Sequence, residues 1–188
     1  MSLKTRYALI ASVALLATGA GFVAAYLQNH QFVATAEPGT GSTDTAGTTD
    51  QLLNLALPDA AGGNQALRQW RGKLLVVNFW ATWCPPCREE MPGFSRLQDK
   101  FSAKGTQFVG IAIDNADKVH EFSLQTPIAY PLLVGSPEQL MAIMSGLGNM
   151  AGGLPFTAII GRDGTLRQTH LGLWKESALE TVLADLTN

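Results

Sequence analysis

The chain of 188 residues is 46% hydrophobic and 15% charged, with a net charge of -2, a composition that supports a folded core and excludes a disordered polyampholyte. From Leu52 onward, 11 Lys and Arg face 12 Asp and Glu with no basic block, so a phosphate-neutralising face for nucleic acid is not expected. Two cysteines, Cys84 and Cys87, exclude a disulfide-stapled scaffold and fall short of a four-ligand zinc site.

Residues 1–7 carry Lys4 and Arg6. The run from Ala8 to Leu27 is uncharged and, as a helix of about 1.5 Å per residue, reaches about 30 Å, enough to span a bilayer. The next basic residue after Arg6 is Arg68, so the positive-inside rule places 1–7 in the cytoplasm and exports the remainder. Residues 8–27 read as a transmembrane anchor or uncleaved signal, because the run exceeds the usual signal core of about 7 to 15 residues. Val23-Ala24-Ala25 keeps cleavage open. Residues 28–51, rich in Gly, Thr, Ser and Asp with Pro38, are expected to be a flexible linker.

Residues 52–188 form the expected domain. Leu74 to Trp80 is a nearly continuous apolar run suited to a central strand covered on both faces. Pro85 and Pro86 follow and fit the first turn of a helix, whose first N–H groups have no partner in any case. That helix carries Met91, Phe94, Leu97 and Phe101 as its buried stripe, with Pro92 expected to kink it. Further strands are read at Gln107 to Asp114, Phe156 to Ile160 and Leu166 to Leu171, the last two joined by an Arg162-Asp163-Gly164 turn. Helical spacing recurs at Leu140, Ile143, Met144 and Leu147, and at Leu179, Val182, Leu183 and Leu186; Ala116 to Gln125 shows it more weakly. The expected class is α/β, one central sheet with helices on both faces.

The chemistry sits at Cys84 and Cys87. A thiol attacks as thiolate, and a helix N-terminus favours that form through unpaired N–H groups and the positive end of the dipole. Cys84 falls there, and Cys87 lies on the same helix face one turn inward. Cys87 can therefore resolve a mixed disulfide formed at Cys84. Haem attachment would need His after the second cysteine, where Arg88 stands. His30, His120 and His170 are scattered, which argues against a metal site, and a structural disulfide closing so short a loop would stabilise little.

Gly72-Lys73, Asn78-Phe79-Trp80-Ala81-Thr82-Trp83-Cys84-Pro85-Pro86-Cys87, Glu90-Met91-Pro92 and Gly153-Leu154-Pro155-Phe156-Thr157 make residues 52–188 resemble the membrane-tethered TlpA/ResA-like branch of the thioredoxin superfamily. The resemblance implies a thioredoxin-like fold with a central mixed sheet and a helix-strand insertion around Ala116 to Val134. By it, Cys84 attacks, Cys87 resolves, and Pro155 is a cis-proline facing the dithiol. Leu154 would pair through its backbone with an incoming peptide, and Trp83, Pro85 and Pro86 would complete the contact surface. Thioredoxin itself carries a buried aspartate where this chain has Asn78, which cannot take a proton. In this branch an acid three residues after the second cysteine, here Glu90, is implied as proton acceptor; the alternative is a solvated glutamate like Glu89. Trp83 could instead be core, and Asn149 to Gly153 could be a mobile rim of the substrate groove or a plain loop.

The resemblance further implies protein substrates with disulfides, among them apocytochrome c and copper-site proteins, recharging by a membrane thiol electron donor, and no cofactor. Strong oxidants of the superfamily often place His between the cysteines. Pro85-Pro86 offers none, which favours reduction, although about 30 mV, or about 1.4 kcal/mol, would reverse it. A disulfide oxidase or isomerase is thus an alternative, as is a copper chaperone using the thiolates with His170. A thiol peroxidase would need a threonine and arginine around an isolated cysteine, an arrangement the chain lacks.

Overall fold

Leu74–Trp80 (β3) is buried at all seven positions, the pattern of a strand covered on both faces. In the computed structural model, which describes residues 41–188 and side chains from residue 45 on, β3 is the middle strand of a five-stranded sheet of order β5-β4-β3-β6-β7. Thr106–Ala112 (β4) and Leu132–Val134 (β5) run parallel to it, while Phe156–Ile160 (β6) is antiparallel to β3, and Leu166–Leu171 (β7) antiparallel to β6. The sheet is mixed and the fold is thioredoxin-like, as the resemblance implied.

Alternation along β3 sorts the core into two layers. Leu74, Val76 and Trp80 enter one cluster with Met91, Phe94, Leu97 and Phe101 of Pro85–Phe101 (α2), Val119 and Phe122 of Ala116–Gln125 (α3), and Leu179 and Leu183 of Glu176–Thr187 (α5). Leu75, Val77 and Phe79 enter the other, with Leu140, Ile143 and Met144 of Pro137–Gly146 (α4). The period of two puts Asn78 on the first face, toward α2. α2 runs unbroken through Pro92.

The expected linker 28–51 is corrected at its C-terminal end: Gly41–Leu53 is a helix (α1), and the folded unit therefore starts before residue 52. Its residues are small and polar, which reads as solvated chain, yet Thr49, Leu52 and Leu53 are buried. The approach to α4 is close enough that a side chain at Gly146 would collide with Thr48. Small residues are what allow this contact, and they are also what hid it. Between α1 and β3, Ala56–Pro58 (β1) and Asn64–Ala66 (β2) form a hairpin that the sequence reading missed. Asp59 closes its turn, accepting from the N–H groups of Ala61 at 3.0 Å and Gly63 at 2.8 Å.

Segments 1–7, 8–27 and 28–40, with the membrane span expected there, lie outside the described residues. Among the described residues no helix is long and apolar enough to cross a membrane.

Leu52 is fully buried against the second layer. Leu52→Ala is expected to cost about 2 to 5 kcal/mol in urea unfolding, the range for truncating a buried leucine; a change under about 0.5 kcal/mol would return α1 to a linker.

Candidate functional site

β3 ends at Trp80, and the chain turns through Ala81 to Cys84 before α2 begins at Pro85. The turn is closed by the Cys84 N–H donating to the Ala81 carbonyl at 3.2 Å. Cys84 caps the helix with extended backbone, and the two prolines occupy its first positions, where no N–H is needed. No acidic residue stands in the first turn, so nothing there opposes the positive end of the helix dipole. Cys84 and Cys87 are joined as a disulfide with Cα atoms 5.3 Å apart. Cys84 keeps 4% of its surface exposed and Cys87 none, so a partner reaches the first before the second. Trp83 beside them is 65% exposed, which removes the core reading.

Glu90 lies one turn beyond Cys87 and, unlike the exposed Glu89, is buried. The Asn78 Nδ2 donates to its Oε1 at 2.8 Å, and the Trp174 N–H to its Oε2 at 2.8 Å. Asn78 Nδ2 also donates to Thr157 Oγ1 at 3.1 Å. Both partners follow from sheet periodicity, since Asn78 pairs with Thr157 in the β3–β6 register and both face α2. Burial pushes the Glu90 carboxyl up to about 7, and the bonds from Trp174 and Asn78 offset only part of that shift. Burial, and then the Glu90 charge, push the Tyr130 phenol up as well. A buried group titrating near neutrality beside a dithiol has the properties of a proton acceptor.

The Leu154–Pro155 peptide bond is cis. Pro155 directly precedes β6, whose first residue Phe156 pairs with Phe79. Pro155 thus sits at the same end of the sheet as the turn carrying Cys84. Its carbonyl accepts from the Gly172 N–H at 2.8 Å. The glycine-rich segment before it is closed by Asn149, which is buried. The Asn149 Nδ2 donates to the Gly153 carbonyl at 2.8 Å, and the Gly153 N–H returns a bond to Oδ1 at 3.1 Å. Asn149 thus closes the segment up to Gly153, read from the sequence as either a groove rim or a plain loop, with two bonds of its own side chain.

His170 stacks on Trp174 with ring centroids 4.5 Å apart, and its Nε2 lies 3.3 Å from the Leu173 carbonyl. Among the described residues no group of three or more His, Cys, Asp or Glu could hold a metal ion.

The sequence reading missed Thr157, Trp174 and the pair Thr82 and Asp114. Trp174 contributes a backbone N–H, which no residue pattern signals. Asp114 follows β4 by two residues at its carboxyl edge, where α/β sheets place their working residues, and that position was an available signal.

The model of the AhpC/TSA family matches residues 48–169. The chain belongs to the AhpC/TSA family. Among its relatives, the thiol-disulfide oxidoreductase ResA of Bacillus anthracis is 28% identical over 135 residues, covering 71% of this chain and 75% of that one. The thioredoxin-like protein YneN of Bacillus subtilis is also 28% identical, over 137 residues, covering 71% and 76%. A crystal structure of a putative thiol:disulfide interchange protein DsbE from Chlorobium tepidum matches with a TM-score of 0.63 and 28% identity, covering 71% of this chain and 93% of that one. Within the AhpC/TSA family, this chain stands with the thioredoxin-like thiol-disulfide oxidoreductases and is an enzyme of that kind.

A carboxyl whose folded-state pKa is raised stabilises the fold fully below its unfolded value and loses that contribution as pH rises to the folded one. For Glu90 the window runs from about 4.5 to about 7. The stability difference between wild type and Glu90→Gln, followed by denaturant unfolding, is expected to move against wild type across that window, by on the order of 3 kcal/mol. A difference that is flat with pH would contradict a raised Glu90.

Proposed function

We propose that the chain is an exported protein-disulfide reductase, anchored in the cytoplasmic membrane by residues 8–27 with its domain outside. The observation that carries this reading is the Cys84–Cys87 disulfide at the start of α2, at the sheet end that also bears the cis Leu154–Pro155 bond, with a buried carboxyl one turn below.

In the reduced enzyme the Cys84 thiolate attacks one sulfur of a substrate disulfide. That S–S bond breaks, a mixed disulfide forms at Cys84, and the second substrate sulfur leaves as thiolate and takes a proton. Cys87 then gives its proton to the Glu90 carboxylate and attacks the Cys84 sulfur. The mixed bond breaks, and the released substrate sulfur leaves as thiolate and takes a proton. Glu90 gives up the proton it accepted, the substrate departs as a dithiol, and the enzyme is left with the Cys84–Cys87 disulfide. Two electrons have passed to the substrate, and a membrane thiol donor restores the dithiol.

Leu154 beside Pro155 would hold the substrate backbone as an added strand, and Trp83, Pro85 and Pro86 would cover its flanks. The exposure of Trp83 supports this role, because an indole in water gains on being covered. Reduction is favoured over oxidation because Pro85-Pro86 places no positive group between the cysteines to stabilise the thiolate. The substrates proposed are apocytochrome c or copper-site proteins, whose cysteines must be reduced before haem or metal enters. Relatives named as thiol-disulfide oxidoreductases support the reaction class.

Cys84→Ser is expected to abolish reduction of a protein disulfide. Cys87→Ser should accumulate mixed disulfides that survive non-reducing electrophoresis and vanish with dithiothreitol, and mass spectrometry of the trapped partner names the substrate. Full activity in Cys84→Ser would end the reading. Glu90→Gln should flatten the rise of turnover between about pH 6 and 8, centred on its value of about 7; an unchanged profile would remove Glu90 from the mechanism.

A further inference from the structure

The turn carrying Cys84 is only four residues long, and it has an anchor outside the dithiol network. Ile113 continues the β3–β4 ladder by donating its N–H to the Trp80 carbonyl at 2.9 Å. The next residue, Asp114, then stands level with the turn. Its Oδ2 accepts from the Thr82 N–H at 2.9 Å and from the Thr82 hydroxyl at 2.5 Å. Its Oδ1 accepts from the Asn115 N–H at 2.7 Å. One carboxylate oxygen thus takes both donors of a single residue, which restrains the backbone and the χ1 of Thr82 together.

From this geometry we infer that Asp114 is a positioning residue of the redox site, clamping Thr82 so that Trp83 is held out to substrate and Cys84 is kept at the N-terminus of α2. The inference rests on Cys84 being the attacking thiol.

The neighbouring residues on the turn show why a clamp is needed. Trp83 is 65% exposed, so its indole gains little from the core to hold it. The Cys84 side chain makes no capping bond of its own, so once its disulfide to Cys87 is reduced only its backbone bonds with Ala81 and Arg88 hold it at the helix start. Hydrogen bonds to an ionised carboxylate are stronger than neutral ones, and Asp114 is suited to supply them. Its burial would raise the carboxyl, but the bonds from Thr82 and Asn115 outweigh that and keep it below the ordinary carboxylate range. The clamp is therefore charged throughout the neutral range. The hydrogen bonds of Asp114 go to Thr82 and Asn115, so it acts on the dithiol through Thr82.

Thr82→Val preserves shape and the N–H but deletes the hydroxyl, whereas Thr82→Ser keeps both donors. Thr82→Val is expected to lower kcat/KM for a protein disulfide about 10-fold, and Asp114→Ala about 10- to 100-fold, the cost of misplacing a reacting group by about 1 Å. Thr82→Ser should stay within about 2-fold of wild type. The double variant Thr82→Val with Asp114→Ala should be no slower than Asp114→Ala alone, because both remove one interaction.

A second readout separates positioning from loss of fold. The pH midpoint for iodoacetamide alkylation of Cys84, measured on the reduced protein in a Cys87→Ser background, should rise in Thr82→Val and return with Thr82→Ser, since a loosened sulfur leaves the helix N-terminus. Multiplying effects in the double variant, Thr82→Ser behaving as Thr82→Val, or an unmoved alkylation midpoint would each overturn the clamp. Should Asp114→Ala fail to fold, the Val and Ser variants of Thr82, which leave the carboxylate in place, carry the test. Activity surviving in Cys84→Ser would refute the reductase reading itself, whereas a dead Cys84→Ser beside an unaffected Thr82→Val refutes the clamp alone.

Discussion

The structure depends on one junction, where a strand buried on both faces gives way to a helix that begins with two prolines. β3 runs down the centre of the sheet with every residue covered. Such a strand can expose chemistry only at its ends. At its carboxyl end the next helix must start with N–H groups that find no partner inside the helix, and Pro85 and Pro86 reduce their number. The remaining groups and the dipole favour negative charge at the residue that caps them, and that residue is a cysteine. The reactive position of the domain thus follows from where the best-buried strand runs out.

Around that junction, the sheet brings together groups that lie far apart in the chain. Antiparallel pairing of β6 with β3 carries Pro155 to the dithiol end and sets Thr157 opposite Asn78. Asn78 in turn holds Glu90 from the side of the sheet, while the N–H of Trp174 holds it from the loop before α5. A carboxyl this far from water would be expensive to ionise without donors. Two donors make the charge tolerable, and burial keeps it costly enough for the proton to return near neutral pH. Asn78 cannot take that proton, but it can donate to the group that does. The substitution of an amide for an acid on β3 is thereby matched to the acid placed on α2.

A second carboxylate at the same edge does a different job. Asp114 is ionised and spends its oxygens on backbone and hydroxyl donors, so it organises the turn rather than exchanging protons with it. In the proposed mechanism the two acids near one dithiol divide the work, Glu90 taking the proton chemistry and Asp114 the geometry.

Much of this was legible in the residues. The apolar run of β3, the paired prolines after it and the spacing of Cys84 and Cys87 determined the strand, the helix and the dithiol, because each reflects local physics: burial on two faces, a helix start without N–H donors, and a three-residue step around one turn. The resemblance added Pro155 and Glu90. Only the tertiary structure decided that Glu90 is buried rather than solvated, that its partners are Asn78 and a backbone N–H of Trp174, that Asp114 grips Thr82, and that the polar stretch before Leu52 is a packed helix. Each of these depends on contacts between segments 12 or more residues apart, made by backbone groups or by small polar side chains. Such groups leave no periodic trace in a sequence, because their partners are chosen by strand register and helix approach rather than by their neighbours along the chain.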